Sequence, residues 1–346
     1  MKKIVALFVF VICLLALLVS SSEQGMRLLT KARYAGSGIL NSDKYAFGDL
    51  YGISYLPEFR IAKEEKFLEV PSGLPAEKDL DLYVVGDSYL YSYLDTLPEY
   101  YARVNKLDFR RWEHVPVRAE AFTSGRKKVL LIESVERNIA NVIALERIRA
   151  VFEPTPPPVL PWWEQWNEAI KSALYHPTLE SNLEFTLFNM ALFSPIKEWK
   201  AAWNDRVFGR LAHEVHRSKS GDRLFMHETV DMHEKESSYR EISDDEVQGT
   251  VKKMEEIQAF YLSKGFDLVL FSFMPNPVSL LEAEKGNQFL TRIQAAGAGH
   301  LTIIDPSARL KTNAHQYFYQ SDSHWNQRGA RVWLDQLNEV LRGAQR

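Results

Sequence analysis

Apolar and polar positions recur along this chain with two different periods, and the switching between them outlines a fold. Leu82-Tyr83-Val84-Val85 is a short apolar run that reads as a buried strand. It meets Gly86-Asp87-Ser88 and then Tyr-Leu-Tyr-Ser-Tyr-Leu, which predicts a helix over about Tyr89–Val104. Leu107–Trp112 alternates apolar with charged residues, as a more exposed strand does. Val129–Ile132 is a third strand, fully apolar, which delivers Glu133–Asn138 to the sheet edge before a helix over Ile139–Ala150. After a long interval come a helix over Glu246–Ser263, strands over Phe266–Phe273 and Leu301–Ile304, and a last helix from about Asn326 to Leu341. Strands alternating with helices predict an α/β fold with a doubly wound parallel sheet of about five strands.

The interval has a different character. Glu153-Pro154-Thr155-Pro156-Pro157-Pro158 suits neither a helix nor a central strand and reads as a stiff linker. Beyond it, Trp162 to about Ser218 is aromatic-rich with a helical pattern. Trp162 and Trp166 stand four apart and share a helix face, which suits core packing or, less simply, stacking on sugar rings. The expected organisation is a terminal segment (1–22), a lead-in (23–78), the α/β domain in two parts (79–152 and 248–346) and a mostly helical insertion between them (153–247).

Lys2 and Lys3 precede 16 apolar residues, Ile4–Val19, followed by three serines. A helix of that length spans about 24 Å, between a signal-peptide core and a full membrane span. The lysines keep the N-terminus inside, so the remainder is expected to be extracytoplasmic, in a periplasm or at a cell surface. Residues 4–19 then serve as a signal peptide, cleavable at Val19-Ser20-Ser21, or as a membrane anchor. The single cysteine, Cys13, falls inside this run as a filler, so the exported part holds no disulfide.

With 346 residues and 46% hydrophobic content the chain can bury one large core or two smaller ones. A net charge of -3 offers no basic surface for nucleic acid. His213, His216, His227 and His233 invite a metal hypothesis, with the first pair three apart on an expected helix. No cysteine joins them and the neighbouring acids follow no ligand pattern, so no metal site is assigned. No Gly-rich dinucleotide or phosphate loop is visible, and no cofactor is expected.

Two stretches carry candidate chemistry. A serine at a strand-to-helix turn lies at the carboxyl edge of the sheet, where open α/β sheets bind ligands, with its N–H suited to an oxyanion. Serine needs a base within reach, and histidine needs a carboxylate on its other ring nitrogen. Asp322 and His324, on one turn before the last helix, supply both. Ser88, His324 and Asp322 are therefore the expected nucleophile, proton shuttle and orienting acid; the plainer reading makes Asp87 or Ser88 and Asp322 helix caps.

Gly86-Asp87-Ser88 after a first strand, with Asp322-Ser323-His324-Trp325 near the end, resembles the SGNH/GDSL hydrolase superfamily, whose sheet is flavodoxin-like. The Asp-x-His-Trp form and Glu133-Ser134-Val135-Glu136-Arg137 are similar to exported SGNH-like polysaccharide O-acetyltransferases of the alginate-acetylation type. The N-terminal segment with a C-terminal Asp/His pair also resembles the D-alanine-transfer protein of teichoic acid modification. The likeness spans about 79–143 and 267–341. Here the Asp-x-His-Trp motif follows the serine, unlike the alginate group, and there is no plain Gly-x-Asn-Asp block; Gly125, Asn138 and Asn141 merely flank the third strand. The resemblance implies an O-acetyltransferase acting on a cell-envelope or secreted polysaccharide, working with a membrane-bound O-acyltransferase. It leaves Arg137, Asn138 and Trp325 as candidate oxyanion or substrate contacts. The alternatives are a carbohydrate esterase or deacetylase using the same residues, and a catalytically silent glycan-binding protein.

Overall fold

The structure is a computed structural model that describes residues 2–35, 40–42, 46–63, 68–90, 94, 97–112, 125–152, 161–167 and 178–343. In chain order the elements begin with α1 (Lys2–Ser21), α2 (Glu23–Ala35) and α3 (Asp49–Ser54), then β1 (Leu80–Gly86), β2 (Val104–Arg111) and β3 (Lys127–Val135). There follow α4 (Ile139–Val142), α5 (Leu145–Phe152), α6 (162–167), α7 (Leu179–Phe188) and α8 (Ser194–Phe208). A hairpin of β4 (Val215–Arg217) and β5 (Leu224–Met226) leads to α9 (Asp244–Ser263), β6 (Leu268–Met274), α10 (Pro277–Leu281), α11 (Phe289–Gly297) and β7 (Thr302–Ile304). The chain ends with α12 (Ser307–Lys311), α13 (Ala314–Tyr317) and α14 (Gln327–Gly343).

The chain divides into two compact units. One comprises Glu64–Thr155 with His213–Arg346 and the other Met1–Lys63 with Pro156–Ala212. The first holds the five-stranded sheet, ordered β2-β1-β3-β6-β7 and parallel at every pairing. Side chains of alternate parity feed two cores, one on each face, because successive strand residues point to opposite sides. Leu82, Val84, Leu131 and Leu270 pack with Trp333, Leu334 and Leu337 of α14. Tyr83, Val85, Ile132 and Phe271 pack with Val251, Met254 and Ile257 of α9. Helices therefore cover both faces, as doubly wound winding requires.

Each expected strand is present with shifted ends, but several expectations are corrected. Among the described residues no helix runs over Tyr89–Val104: Ser88–Leu90 is a turn, Pro98 opens a short 3-10 segment, and Val104 already belongs to β2. Proline forces its predecessor Leu97 into extended backbone, and Arg103 turns at φ 64° into the strand. The single helix expected over Ile139–Ala150 is two, broken where Ile143 leaves helical backbone. The helix expected from Glu246 starts at Asp244, capped by Ser243, whose hydroxyl accepts from Glu246 N–H while Glu246 accepts from Ser243 N–H.

The insertion ends earlier than the expected 247. Residues from His213 onward belong to the α/β unit: Phe225 and Val230 bury themselves with Val278, and Leu224 N–H donates to Gln320 O at 2.8 Å. Residues 23–63, taken as a lead-in, fall in the helical unit, and 64–78 in the α/β unit. His216 sits in β4 and His213 in the preceding turn, so the pair is not on a helix face; burial pushes the His216 ring down from its ordinary value. Trp162 and Trp166 do share a helix, but at 69% and 66% exposure they are not core residues. The Glu153–Pro158 linker lies outside the described residues.

Candidate active site

The sheet order changes direction at β1, whose neighbours β2 and β3 carry on to opposite edges. Open parallel sheets form a crevice at such a point, outside the carboxyl ends of the strands. Gly86-Asp87-Ser88 lies there. Asp87 is buried and fixes the turn: one carboxylate oxygen accepts Tyr89 N–H at 2.9 Å, the other Val135 N–H at 2.8 Å. Its own N–H donates to Glu133 Oε2 at 2.8 Å. Glu133 is fully buried and its Oε1 has no hydrogen-bond partner among the described residues. Burial, reinforced by the neighbouring Asp87 carboxylate, pushes the Glu133 carboxyl well above the usual range. Gly86 makes this stacking possible, since a Cβ there would lie 2.8 Å from Glu133 Oε2 and 3.2 Å from Phe109 Cε2.

The second stretch is held against the first by side chains that alternate between them. Tyr89 OH donates to Ser323 O, and Trp325 Nε1 donates to Tyr89 O at 3.0 Å. The Tyr89 ring lies 4.9 Å from the His324 ring and 5.3 Å from that of Trp325. Trp325 continues into the core, 6.0 Å from Trp333. Its backbone bridges Phe318, and Asn326 N–H donates to Tyr317 O at 2.8 Å. The start of α14 packs close, so a Cβ on Gly329 would stand 2.6 Å from Tyr317 O.

These contacts bring three side chains into one line. Ser88 Oγ lies 2.7 Å from His324 Nε2, and His324 Nδ1 lies 2.7 Å from Asp322 Oδ1. The same carboxylate oxygen accepts His324 N–H at 2.9 Å, which fixes the turn as well as the ring. Asp322 is buried and the His324 side chain is 24% exposed. An aspartate on Nδ1 keeps that nitrogen protonated, leaving Nε2 to accept from the serine hydroxyl. Among the described residues no acceptor meets Ser88 N–H. Ser88 lies in a turn rather than at the start of a described helix, so the positive helix end expected behind it is absent among the described residues.

The other candidates separate. The Arg137 side chain is 9% exposed, with its guanidinium 5.9 Å from the Tyr89 ring and an ion pair to Glu228 at 3.6 Å. Burial acts against its charge, but Tyr89, Asp87 and Glu228 outweigh it and raise its pKa. Asn138 is half-buried where the turn after β3 enters α4, and among the described residues it makes no hydrogen bond to Ser88, His324 or Asp322. Trp325 is 1% exposed, so it supports the site from below and offers no face to a substrate.

Three residues were not singled out as site residues by the sequence: Tyr89, Glu133 and Glu136. Each follows a predicted strand within a few residues, which was the available signal; their burial was not. Glu136 accepts Asn276 N–H at 2.9 Å and the Ser279 hydroxyl, and burial raises its carboxyl to about 7 despite those bonds. It lines a cavity of about 420 Å³ with Ser279, Phe289, Asp305 and Lys311. Asp305 is also raised by burial, against the Ser307 bonds that lower it.

In comparisons with family models, curated proteins and solved structures, nothing matches the chain.

Proposed function

We propose that the protein is an extracytoplasmic acyl-ester enzyme of SGNH-like, flavodoxin-like build, and that its reaction is O-acetyl transfer to a cell-envelope or secreted polysaccharide. One observation carries the reading: the 2.7 Å spacings that join Ser88 to His324 and His324 to Asp322. In the first half-reaction His324 Nε2 takes the Ser88 hydroxyl proton as Oγ attacks the acyl carbonyl carbon. The tetrahedral oxyanion meets Ser88 N–H, which is unengaged among the described residues, and the buried Arg137 charge nearby favours it. His324 then protonates the departing group, leaving the acyl ester on Ser88. In the second half-reaction a sugar hydroxyl gives its proton to His324 and attacks that ester. Ser88 Oγ leaves and recovers the proton. Asp322 stabilises the imidazolium in both halves without itself taking the proton.

One further feature supports an exported, membrane-linked setting. The lysine-led apolar segment forms a 20-residue helix with mean hydropathy 3.0, able by length and composition to cross a bilayer or to act as a signal sequence. A site outside the membrane needs acyl groups carried across, hence a membrane-bound O-acyltransferase partner. Hydrolysis is the competing reading, favoured by the partial exposure of His324, which lets water reach the base.

The test has two arms. Purified protein is given a chromogenic acetyl ester with and without oligosaccharides, and acetylated sugar is measured against free acetate. In the host, the gene is deleted and glycan acetylation is measured. Lower acetylation supports transfer; raised acetylation identifies a deacetylase; no turnover in either arm removes the enzymatic reading.

A further inference from the structure

The helical unit presents its apolar side outward. In α8 no large apolar residue faces inward, where Glu198 accepts from Tyr51 OH at 2.7 Å and Lys197 donates to Tyr55 OH at 3.2 Å. Arg60 pairs with Glu198 at 3.6 Å on the same side. The outward stripe is Ile196, Trp199, Trp203 and Val207, between 50% and 68% exposed. Their spacing of three, four and four places them on one helix face. Trp199 and Trp203 stack at 25° with ring centres 6.2 Å apart. A helix of a water-soluble unit has the opposite arrangement, with apolar residues inside.

The exposure continues across the same unit. Trp162, Trp163 and Trp166 of α6 are 57% to 69% exposed, and Phe188, Leu192 and Phe208 are 50% or more. The larger α/β unit, by contrast, exposes only Val70, Leu97, Met232 and Leu262 among its described large hydrophobic residues. A patch this concentrated marks an interaction surface.

The occupant is indicated by what else the unit contains. The large apolar side chains of α1 from Ile4 to Leu18 are likewise exposed, with Ala16 buried among them. Its end is built into the unit, for Ser20 is fully buried, donates to Thr186 Oγ1 at 2.9 Å and accepts from Asn182 Nδ2 at 2.9 Å. Arg33 of α2 ties down the carbonyls of Phe185, Thr186 and Asn189. Removing α1 by cleavage after Val19-Ser20-Ser21 would take away the two Ser20 bonds, so the geometry favours a retained anchor. The elements leading into α8 are thus fastened where α1 ends. Tryptophan is the residue that concentrates at membrane–water boundaries, its ring apolar and its N–H able to bond at headgroup depth. Lys200 and Arg206, both exposed and beside the stripe, can extend to lipid phosphates while their stems lie along the apolar face. A cleft of about 530 Å³ at the end of α1 adds Arg27 and Lys31.

We propose that the tryptophan face of α8 lies in the interfacial layer of the same lipid bilayer that α1 crosses, giving the helical unit a second attachment to the membrane. One span alone lets an attached unit swivel; a second, in-plane helix fixes its attitude to the lipid surface.

The test uses the full chain in vesicles of phosphatidylethanolamine and phosphatidylglycerol, and none of its readouts needs turnover. In a Cys13→Ser background, spin labels are placed through Ile196→Cys, Trp203→Cys and, as a water-facing control on α9, Lys252→Cys. Collision rates with oxygen, which concentrates in lipid, are compared with those for a water-soluble nickel chelate. The oxygen-to-nickel ratio at 196 and 203 should exceed that at 252 by roughly threefold or more, as for residues at interfacial depth. A ratio equal to the control overturns the proposal. Low collision with both reagents means protein covers the face, and overturns it too. Should the variants misfold, the unmodified chain serves: lipids brominated along the acyl chain should quench much of its tryptophan emission, and unquenched emission counts against the proposal.

Discussion

Gly86→Ala isolates the packing that aims Ser88. Gly86 has no positive φ, so alanine is acceptable to the backbone and the effect is purely steric. The new Cβ would sit 2.8 Å from Glu133 Oε2, about 0.6 Å inside ordinary contact, and 3.3 Å from Leu90 Cδ1. Glu133 is poorly placed to give way, being fully buried and engaged by Asp87 N–H. The turn itself must move. Overpacking of a buried site costs about 1–3 kcal/mol of stability. A 1 Å misplacement of a reacting group costs on the order of a hundredfold in rate, so a shift of roughly half that should cost about tenfold or somewhat more in kcat/KM. The assays are acetyl-ester turnover and thermal unfolding of the full chain in detergent. Glu133→Asp shortens the obstructing side chain, so the double variant should lose less than the two single losses combined, with a coupling of about 1 kcal/mol. A Gly86→Ala protein with wild-type Tm and kcat/KM within roughly twofold of normal would refute the reasoning.

Further outcomes are expected. Ser88→Ala and His324→Ala should each abolish transfer and hydrolysis while leaving the fold intact, and the double variant should be no worse than either; near-normal turnover in Ser88→Ala protein removes the nucleophile assignment. Asp322→Asn should lower kcat by about 10⁴, because the amide no longer fixes the Nδ1–H tautomer; a loss under roughly tenfold would argue against that role. Glu136 keeps its proton to about pH 7 when folded, against 4.5 ordinarily, so its stabilisation is full below pH 4.5 and is lost as pH rises through 7. The difference is about 3 kcal/mol, and Glu136→Gln should flatten the fall in Tm between those limits; parallel slopes would count against it. Ser243→Ala removes a capping bond of α9 and should cost about 1 kcal/mol in unfolding experiments, with no change in turnover.

What the sequence determined follows from local pattern and chain order. Apolar runs such as Leu82–Val85 and Val129–Ile132 have no stable alternative to burial within a sheet, and their alternation with helices leaves a parallel arrangement as the economical solution. Parallel strands bring all their carboxyl ends to one edge, so Ser88, Asp322 and His324 were legible as neighbours before any distance was known. The composition of the helical segment was legible too, although the direction its tryptophans face was not. Tertiary structure decided the rest. A continuous helix from Tyr89 to Val104 was expected, but Pro98 and the strand at Val104 end that option, and Asp87 makes the turn at Ser88–Leu90 by bonding to Val135 from a different strand. The unit to which 213–247 belong was settled by Leu224 and Val230 finding partners about 50 to 100 residues later in the chain. Glu133 and Glu136 read as ordinary charged residues; the layers closed around them, with Asp87 beside Glu133, raise their proton affinity. Periodicity reports which residues share a face. Which face is covered, and by what, depends on contacts between segments far apart in sequence, and no local pattern encodes those.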